Sequence, residues 1–383
     1  MRDLKGATIL FAAEYIAVGG TRTYACQLLD FYRRHGATGV MVTSFEGGDP
    51  EMKSFAEDCG FEVVRFRDLS GKPHSRKREL RPALWSPRAV SREVELFDRF
   101  RERHDLDFVT VSTGTAGLFL SAAATSPRPL IIEHGYPHGL RQRFLGGTVM
   151  APLVPHDAVI VAMSDYARGR FSDAWSPSRH GFQVTALRST CGPVQEPTDD
   201  ANRESLVLTA ALVEEHKRPG DWLGVAAAVA ACESVLPKPQ FQWLGDGPLL
   251  QRMRQQARKS GLQNVSFPGW SVNTADHYRR ARVYLQMSSK EALGLSVIDA
   301  LRFGVPAVVT DAGGLPEVVM DGVNGFVIPV GDVDAAAAAT RELLVNDSLW
   351  MKQSAAARDI YQQRFEPDRW DEALLALHVG QLE

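Results

Sequence analysis

The sequence predicts an α/β protein built from two doubly wound, Rossmann-like domains that face a central cleft. Three observations support this fold class. The chain has 383 residues, more than one hydrophobic core usually organises and enough for two domains of ordinary size. Short apolar runs typical of buried strands alternate with amphipathic helical runs, which is the pattern of parallel sheets covered by helices. The polar stretch 191–205 (CGPVQEPTDDANRES) interrupts this alternation, which then restarts, so it is predicted to link two domains.

The individual elements follow from this alternation. In the first half, strands are predicted at residues 8–12, 39–43, 61–66, 108–112, 130–133, 158–163 and 183–187. Helices are predicted between them, for example at 21–34 and 51–58, which end before Gly36 and Gly60. In the second half, strands are predicted at 206–212, 241–244, 265–268, 283–287, 307–310 and 325–328. The Ala-rich run 335–339 and the tail 368–382 are predicted to be helical.

Composition limits the class of protein. A hydrophobic fraction of 44% and a charged fraction of 23% are typical of a soluble globular chain. The net charge of −3 gives no general attraction to nucleic acid. The four cysteines lack CxxC spacing, which favours a reduced, cytoplasmic setting over a disulfide framework or a zinc site. The apolar N-terminal run is interrupted by Glu14, so it is predicted to be a first core strand rather than a signal peptide.

The most informative segment is residues 288–325, SSKEALGLSVIDALRFGVPAVVTDAGGLPEVVMDGVNG. It follows a predicted strand, and Glu291 therefore stands where ligands bind in open α/β sheets. Gly294 precedes a helical pattern that ends at Gly304, before the next strand. The start of that helix offers unpaired N–H groups and a positive dipole end, which suit a phosphate.

This segment resembles the donor-site signature of retaining family 4 glycosyltransferases, which have the two-lobed GT-B fold. The resemblance rests on Glu291, on Gly294, on Asp299 eight residues after Glu291, and on the turn 313–317, GGLPE. The second acidic residue is more often Glu in that family, so Asp299 is a departure. The resemblance covers nearly the whole chain, although only the second half carries specific motifs.

The resemblance implies an activity and a domain plan. It implies a hexosyltransferase-type enzyme that moves a sugar, with retention, from a nucleotide-diphosphate donor to a hydroxyl or amine. UDP-sugars are the commonest donors of the family, and no metal or other cofactor is expected. Residues 1–190 are then the acceptor-side domain and 206–365 the nucleotide-sugar domain. The last segment, 366–383, is expected to be a helix that crosses back to the first domain.

Donor-site roles are likewise implied by the resemblance. Glu291 is expected to contact sugar hydroxyls and Asp299 the ribose. The backbone of Ala292, Leu293, Gly294 and Leu295 is expected to line the sugar and diphosphate, with the amides of Leu295 and Ser296 on phosphate oxygens. Taken alone, Glu291 would be interpreted as a surface carboxylate near a helix start, and only the eight-residue spacing favours a functional role for Asp299 over that of a helix-surface residue.

A basic pair follows the first strand of the second half. Lys217 matches a family lysine that binds the diphosphate, whereas the family arginine position holds Ala211. Arg218 is a candidate substitute, and a solvated loop residue is the alternative. Because arginine binds phosphate bidentately and lysine does not, the absence of the arginine is the largest departure from the family.

Further candidates lie on loops. His134 follows a predicted strand, where the family often has a histidine near the reacting centre, and Glu133 beside it is the alternative because neighbours on a strand face opposite ways. Gly19 and Gly20 correspond to a Gly-rich loop near phosphates and acceptor, or to a plain strand-to-helix turn. Three more residues are expected on the donor side: Gly245 and Gly247 in a Gly-x-Gly-Pro turn, and Trp270 near the nucleotide base.

Several alternatives stay open. The acid pairs at 105–107 and 332–334 mimic a metal-binding motif, but the first precedes a strand and the second begins a helix. The basic stretch 72–103 is predicted to be a solvated helix and acceptor loop, with an anionic membrane surface as the alternative. The rival functions are another GT-B enzyme, such as a nucleotide-sugar epimerase or a phosphorylase, and a catalytically weak partner-binding GT-B protein. Acceptor, donor sugar and oligomeric state do not follow from the sequence.

Overall fold

The protein is represented by a computed structural model that describes most of the 383 residues. The described residues are 4–13, 20–43, 50–66, 87–113, 120–126, 128–139, 148, 151–195, 203–232, 235, 237–271 and 273–380. The chain divides into two compact units. The first comprises Met1–Arg188 with Asp371–Glu383, and the second comprises Ser189–Trp370.

The first unit has a parallel sheet whose strands stand in the order β3-β2-β1-β4-β5-β6-β7. The strands are β1 (Thr8–Ala13), β2 (Thr38–Thr43), β3 (Phe61–Arg65), β4 (Phe108–Thr113), β5 (Leu130–Glu133), β6 (Val159–Ala162) and β7 (Gln183–Ala186). The helices are α1 (Gly20–Arg34), α2 (Pro50–Asp58), α3 (Pro87–His104), α4 (Leu120–Ala123), α5 (Asp165–Trp175) and α6 (Pro177–His180), with a 3₁₀ turn at Ala151–Leu153. The strand order reverses direction between β1 and β4, as in doubly wound folds.

Burial in the first unit follows the sequence pattern. Strands β1, β5 and β6 are mostly apolar and are buried along almost their whole length, because helices cover both sides of a parallel sheet. Helix α1 buries one apolar face that includes Tyr32, whose hydroxyl lies 2.7 Å from Thr110 Oγ1. The last helix of the chain, α14 (Pro367–Val379), packs against α1: Tyr32 Oη lies 3.1 Å from His378 Nε2, and Arg34 pairs with Asp371.

The second unit has a parallel sheet in the order β10-β9-β8-β11-β12-β13. The strands are β8 (Leu206–Ala210), β9 (Gln240–Leu244), β10 (Val265–Gly269), β11 (Val283–Gln286), β12 (Ala307–Thr310) and β13 (Gly325–Ile328). The helices are α7 (Pro219–Ala230), α8 (Leu250–Lys259), α9 (Thr274–Arg280), α10 (Leu295–Arg302), α11 (Leu315–Val318), α12 (Val333–Val345) and α13 (Asp347–Arg364), with a 3₁₀ turn at Glu215–Lys217.

An aromatic cluster fills the core under α7. Trp222 meets Trp243 edge to face at 5.3 Å, and its indole N–H donates to Thr209 Oγ1 at 2.7 Å, so the buried polar atom is satisfied. The Ala-rich helix α12 packs close against α7 because its buried residues are small. Its N-terminus is capped by Asp332, which accepts from Ala335 N at 2.9 Å.

The predicted fold class is confirmed. Every predicted strand is present, and the main differences are at strand ends. The strand predicted to reach Leu212 ends at Ala210, because Val213 N donates instead to Asp246 O in the loop after β9. Of the predicted linker, residues 191–195 and 203–205 are described and the rest lies outside the described residues.

Candidate active site

The candidate site in the second unit lies at the carboxyl ends of β8 and β11. These two strands are neighbours, but the chain leaves β8 toward β9 on one side and β11 toward β12 on the other. Such a switch point leaves a crevice between the loops that follow the two strands, where doubly wound proteins bind ligands. Residues 211–218 and 287–294 form these loops.

Lys217 and Glu291 meet at this switch point. The 3₁₀ turn Glu215–Lys217 brings the lysine back over β11, and Ser289 N donates to His216 O at 2.7 Å, which fastens the two loops together. Lys217 Nζ then lies 2.5 Å from Glu291 Oε2. The two side chains are only 14% and 15% exposed, so this pair is shielded more than an ordinary surface ion pair.

The Glu291 carboxylate is held from one side. Its Oε2 also accepts from Gln286 Nε2 at 2.9 Å and from Ser288 Oγ at 3.3 Å. Among the described residues, no donor reaches Oε1. One carboxylate oxygen is therefore fully engaged, and the other keeps its capacity to accept from a ligand hydroxyl.

Glycines fix the backbone around Glu291. Gly313 has φ +60°, and a Cβ there would lie 1.8 Å from Glu291 O, while Gly314 N donates to that same oxygen at 3.1 Å. Gly294 has φ +99°, and its Cβ would lie 2.7 Å from Leu315 Cδ2. Both positions need the left-handed region and the absence of a side chain, which explains why the motif has glycines here.

Helix α10 begins directly after Gly294, which has no side-chain cap. The amides of Leu295 and Ser296 stand in its first turn, where N–H groups have no partner within the helix. Ala292 and Leu293 connect these amides to Glu291. The helix start, Glu291 and Lys217 thus lie on connected or hydrogen-bonded loops.

Asp299 lies one turn into α10 and is partly buried, with 28% of its side chain exposed. Burial raises the pKa of this carboxyl to about 6. Arg302, whose Nη1 lies 3.5 Å from Asp299 Oδ1, lowers the pKa but by less than burial raises it. Burial raises the pKa of the Cys191 thiol well above its usual range, and the nearby Asp299 carboxylate raises it further.

Arg218 points away from the Lys217–Glu291 pair. It has φ +50°, and its Nε bonds Asp221 Oδ2 at 2.5 Å at the start of α7. With Arg252 and Lys290 it lines a cavity of about 520 Å³ on the α7–α8 side, and His216 and Ser289, which join the two site loops, line the same cavity. Ala211, at the family arginine position, has no polar side chain: its N–H donates to Leu244 O at 2.9 Å and its carbonyl accepts from Trp243 Nε1 at 2.8 Å.

In the first unit, His134 follows β5. Its Nε2 lies 2.6 Å from Ser112 Oγ, and its ring meets Tyr24 edge to face at 5.1 Å. Burial lowers the pKa of His134 to about 4, so the imidazole is neutral near pH 7. Glu133 is completely buried, which leaves His134 as the more accessible of the two candidates.

The remaining candidates are structural or exposed. A Cβ on Gly245 would lie 2.0 Å from Ala211 O, and one on Gly247 would lie 2.7 Å from Val213 O, so this turn packs directly on the loop after β8. The side chain of Trp270 is largely exposed after β10. Gly20 begins α1, whereas Gly19 lies outside the described residues.

Sequence reasoning missed the polar network behind Glu291. Gln286 Oε1 accepts from Tyr284 Oη at 3.0 Å and from Ser296 Oγ at 3.2 Å. The available signal was a glutamine at the end of an otherwise apolar buried strand, which a core position seldom tolerates without partners.

Neither a metal cluster nor a membrane-spanning helix is found in the part of the chain that the structure describes. No group of three or more His, Cys, Asp or Glu residues there is arranged to hold a metal ion. Among the helices described, none is long and apolar enough to cross a membrane. The absence of a cofactor and the cytoplasmic location stay predictions.

Solved structures with similar folds cover nearly the whole chain. A glycosyltransferase from Rickettsia africae ESF-5 superposes with a TM-score of 0.74 at 14% identity, covering 99% of each chain. Anabaena Alr3699/HepE, solved in complex with UDP and glucose, gives 0.72 at 19% identity, covering 98% of this chain and 99% of that one. At these identities the likeness establishes the fold, which is GT-B.

Sequence comparison finds relatives among the glycosyltransferases. Residues 199–360 match the family of glycosyl transferases group 1. An N-acetyl-alpha-D-glucosaminyl L-malate synthase of Bacillus anthracis is 30% identical over 127 residues, 33% of each chain. A GDP-mannose-dependent phosphatidylinositol monomannoside mannosyltransferase of Mycolicibacterium smegmatis is 25% identical over 377 residues, 92% of this chain and 91% of that one. The second half of the chain is thus similar to the group 1 glycosyltransferases, and its match to the Bacillus relative spans about a third of that protein's length.

Proposed function

We propose that the protein transfers a sugar, with retention of anomeric configuration, from a nucleoside-diphosphate donor to an acceptor hydroxyl or amine. The observation that carries this proposal is the Lys217–Glu291 pair at the switch point of the second sheet, next to the first turn of α10. It combines a cation and free amides for a diphosphate with a carboxylate oxygen for a sugar hydroxyl.

The ion pair does not prevent Lys217 from binding phosphate. An ammonium group has three donors, and Glu291 occupies one of them. Lys217 Nζ and the amides of Leu295 and Ser296 therefore bind the diphosphate, and Glu291 Oε1 accepts from the sugar. Asp299, on the same helix, accepts from the ribose hydroxyls when it is ionised.

The bond changes need no base from this unit. The bond between the anomeric carbon and the phosphate oxygen breaks while the acceptor oxygen bonds that carbon on the same face. The acceptor proton passes to the departing phosphate oxygen. Negative charge grows on the diphosphate in the transition state, where Lys217 and the start of α10 stabilise it.

The donor nucleotide is proposed as UDP or GDP. UDP follows from the sequence prediction, and the HepE structure contains UDP. GDP has support of its own, because the Mycolicibacterium relative that spans most of the chain is named as GDP-mannose-dependent. The first unit, with neutral His134, is proposed to serve the acceptor.

Calorimetry tests the donor site. UDP, GDP and ADP are titrated into the protein, followed by sugar conjugates of the nucleotide that binds. We expect one nucleotide to bind selectively and a sugar conjugate to bind more tightly. Glu291→Ala is expected to abolish most of the sugar-dependent gain, whereas Glu342→Ala, which removes an exposed carboxylate of the same unit on α12, is expected to leave it intact.

The outcomes separate the rival functions. Absence of binding by all three nucleotides contradicts the donor site. Conversion of the sugar nucleotide without any acceptor indicates an epimerase. Tight sugar-nucleotide binding without turnover across an acceptor panel indicates a binding protein. Ala211 and Asp299, the two departures from the family pattern, are the residues that favour this alternative.

A further inference from the structure

Gln286 is an unusual residue for the end of a core strand. It ends β11, is 2% exposed, and follows three buried residues. Both ends of its amide are nevertheless hydrogen-bonded: Nε2 donates to Glu291 Oε2 at 2.9 Å, and Oε1 accepts from two hydroxyls. Those hydroxyls belong to Tyr284 on the same strand and Ser296 in the first turn of α10.

The chemistry of the neighbours fixes the orientation of this amide. An ionised Glu291 can only accept, so the group facing it must be a donor. A rotated amide would place its carbonyl oxygen against the carboxylate and face its NH₂ toward the hydroxyls. The arrangement with Nε2 on Glu291 is therefore the favourable one, and it polarises a chain of hydrogen bonds from α10 to the carboxylate.

We propose that Gln286 is a positioning residue that sets how Glu291 meets the donor sugar. Gln286, Lys217 and Ser288 all hold Oε2, which turns Oε1 toward the ligand side. Through Ser296, the same amide ties Glu291 to the helix start that binds the diphosphate. This inference rests on the proposed function and adds a residue that controls its sugar step.

Only an amide of this length satisfies all these partners. Leucine would leave the Tyr284 and Ser296 hydroxyls without this acceptor and would remove one donor from Glu291. Glutamate has the right shape, but its carboxylate would lie about 3 Å from that of Glu291, where two carboxylates share a proton rather than both ionise.

The first test measures the sugar preference, which is the ratio of Kd values for the nucleoside diphosphate and its sugar conjugate. We expect Gln286→Leu to reduce this ratio about tenfold, the usual effect of losing one hydrogen bond to a charged group. Its affinity for the nucleoside diphosphate alone should change by no more than about twofold. The matched control is Gln353→Leu, which replaces a fully buried glutamine on α13 and should leave both quantities unchanged.

The second test uses a pH profile that a purely structural role would not produce. In Gln286→Glu, a shared proton restores the hydrogen bond to Glu291 at low pH, and its loss creates repulsion at higher pH. We expect the sugar preference of this variant to fall about tenfold between about pH 5.5 and pH 8. The ionisable neighbours are Lys217, His216, Glu291, Tyr284 and Asp299. His216 and Asp299 are also present in the unaltered protein, so its pH profile measured in parallel accounts for their titration.

The outcomes distinguish this inference from the proposed function. If the unaltered protein shows no sugar preference at all, the proposed function itself fails. If it shows a preference that Gln286→Leu retains and Gln286→Glu keeps at every pH, the positioning role is wrong while the donor site stands. If Gln286→Leu unfolds, the profile of Gln286→Glu decides.

Discussion

Replacing Asp299 by Asn should raise the stability of the protein while weakening nucleotide binding. Burial raises the pKa of Asp299 from 3.8 to about 6, which corresponds to roughly 3 kcal/mol against the ionised form at neutral pH. Because 28% of the side chain is exposed, solvent screening reduces this to about 1–2 kcal/mol. Arg302 keeps another partner, since its Nε donates to Pro193 O at 2.7 Å.

The sign of the pH dependence follows from the raised pKa. As pH rises from about 4, the unfolded chain loses this proton first, so the folded state loses relative stability until pH passes about 6. Asp299→Asn should therefore equal the unaltered protein below pH 4 and exceed it above pH 6. Nucleotide binding should show the opposite trend, because ribose hydroxyls need the ionised carboxylate. Affinity should rise through about pH 6 in the unaltered protein and lose this dependence in the variant.

Calorimetric melts at pH 4, 5, 6 and 7, paired with nucleotide titrations, check both trends. Asp276→Asn is the matched control, because Asp276 forms an Asp–Arg pair of the same i,i+3 spacing but has 59% of its side chain exposed. Its replacement should change stability by less than about 0.5 kcal/mol at every pH. The reasoning is refuted if Asp299→Asn destabilises the protein at pH 7 or binds nucleotide as tightly as the unaltered chain.

Three further outcomes are expected. Gly313→Ala should lower stability by more than about 2 kcal/mol and remove sugar-dependent binding, because the added Cβ would collide with Glu291 O. The control Gly322→Ala, at φ +72° with no described atom within 4 Å of the added Cβ, should lower stability by only about 1 kcal/mol. Equal melting temperatures of the two variants would contradict this. Gln353→Leu should raise stability by about 1–2 kcal/mol in thermal melts, because both polar atoms of the Gln353 amide are buried without a hydrogen bond among the described residues. A melting temperature below that of the unaltered protein would contradict this prediction. Burial lowers the pKa of His378 to about 4, so the first unit should lose up to about 3 kcal/mol of stability from this group as pH falls from 6.5 to 4. His378→Phe should reduce that loss in acid-unfolding curves. An acid-unfolding curve that this substitution leaves unchanged would contradict the prediction.

The sequence was a sufficient guide to the fold because its elements are short and clearly bounded. Apolar runs bounded by Gly or Pro, such as those that follow Pro129 and Pro306, allow little besides buried strands in a parallel sheet. The meeting of Lys217 and Glu291, 74 residues apart, was also within reach, because loops after neighbouring parallel strands share one edge of the sheet.

Side-chain direction was not predictable in the same way. Arg218 is next to Lys217 in the chain, yet its left-handed backbone conformation turns it to Asp221. The choice between Glu133 and His134 depended on which one the first unit buries. The role of Gln286 required distances to three side chains, which no spacing in the sequence supplies.

Some predictions stay untested. The acceptor is expected to depend on two loops of the first domain, residues 70–92 and 136–150. Most of their residues lie outside the described part of the chain, as does much of the basic stretch 72–103. Contact with an anionic membrane surface, the acceptor and the oligomeric state therefore stay open to experiment. Retention at the anomeric carbon likewise stays a proposal, which product analysis by NMR can test.

A crystal structure with the preferred sugar nucleotide tests the central claim most directly. We expect the diphosphate at Lys217 and the first turn of α10, the ribose at Asp299, and a sugar hydroxyl within hydrogen-bond distance of Glu291 Oε1. A nucleotide seated instead in the cavity lined by Arg218, Arg252 and Lys290, with the Lys217–Glu291 pair untouched, would contradict it.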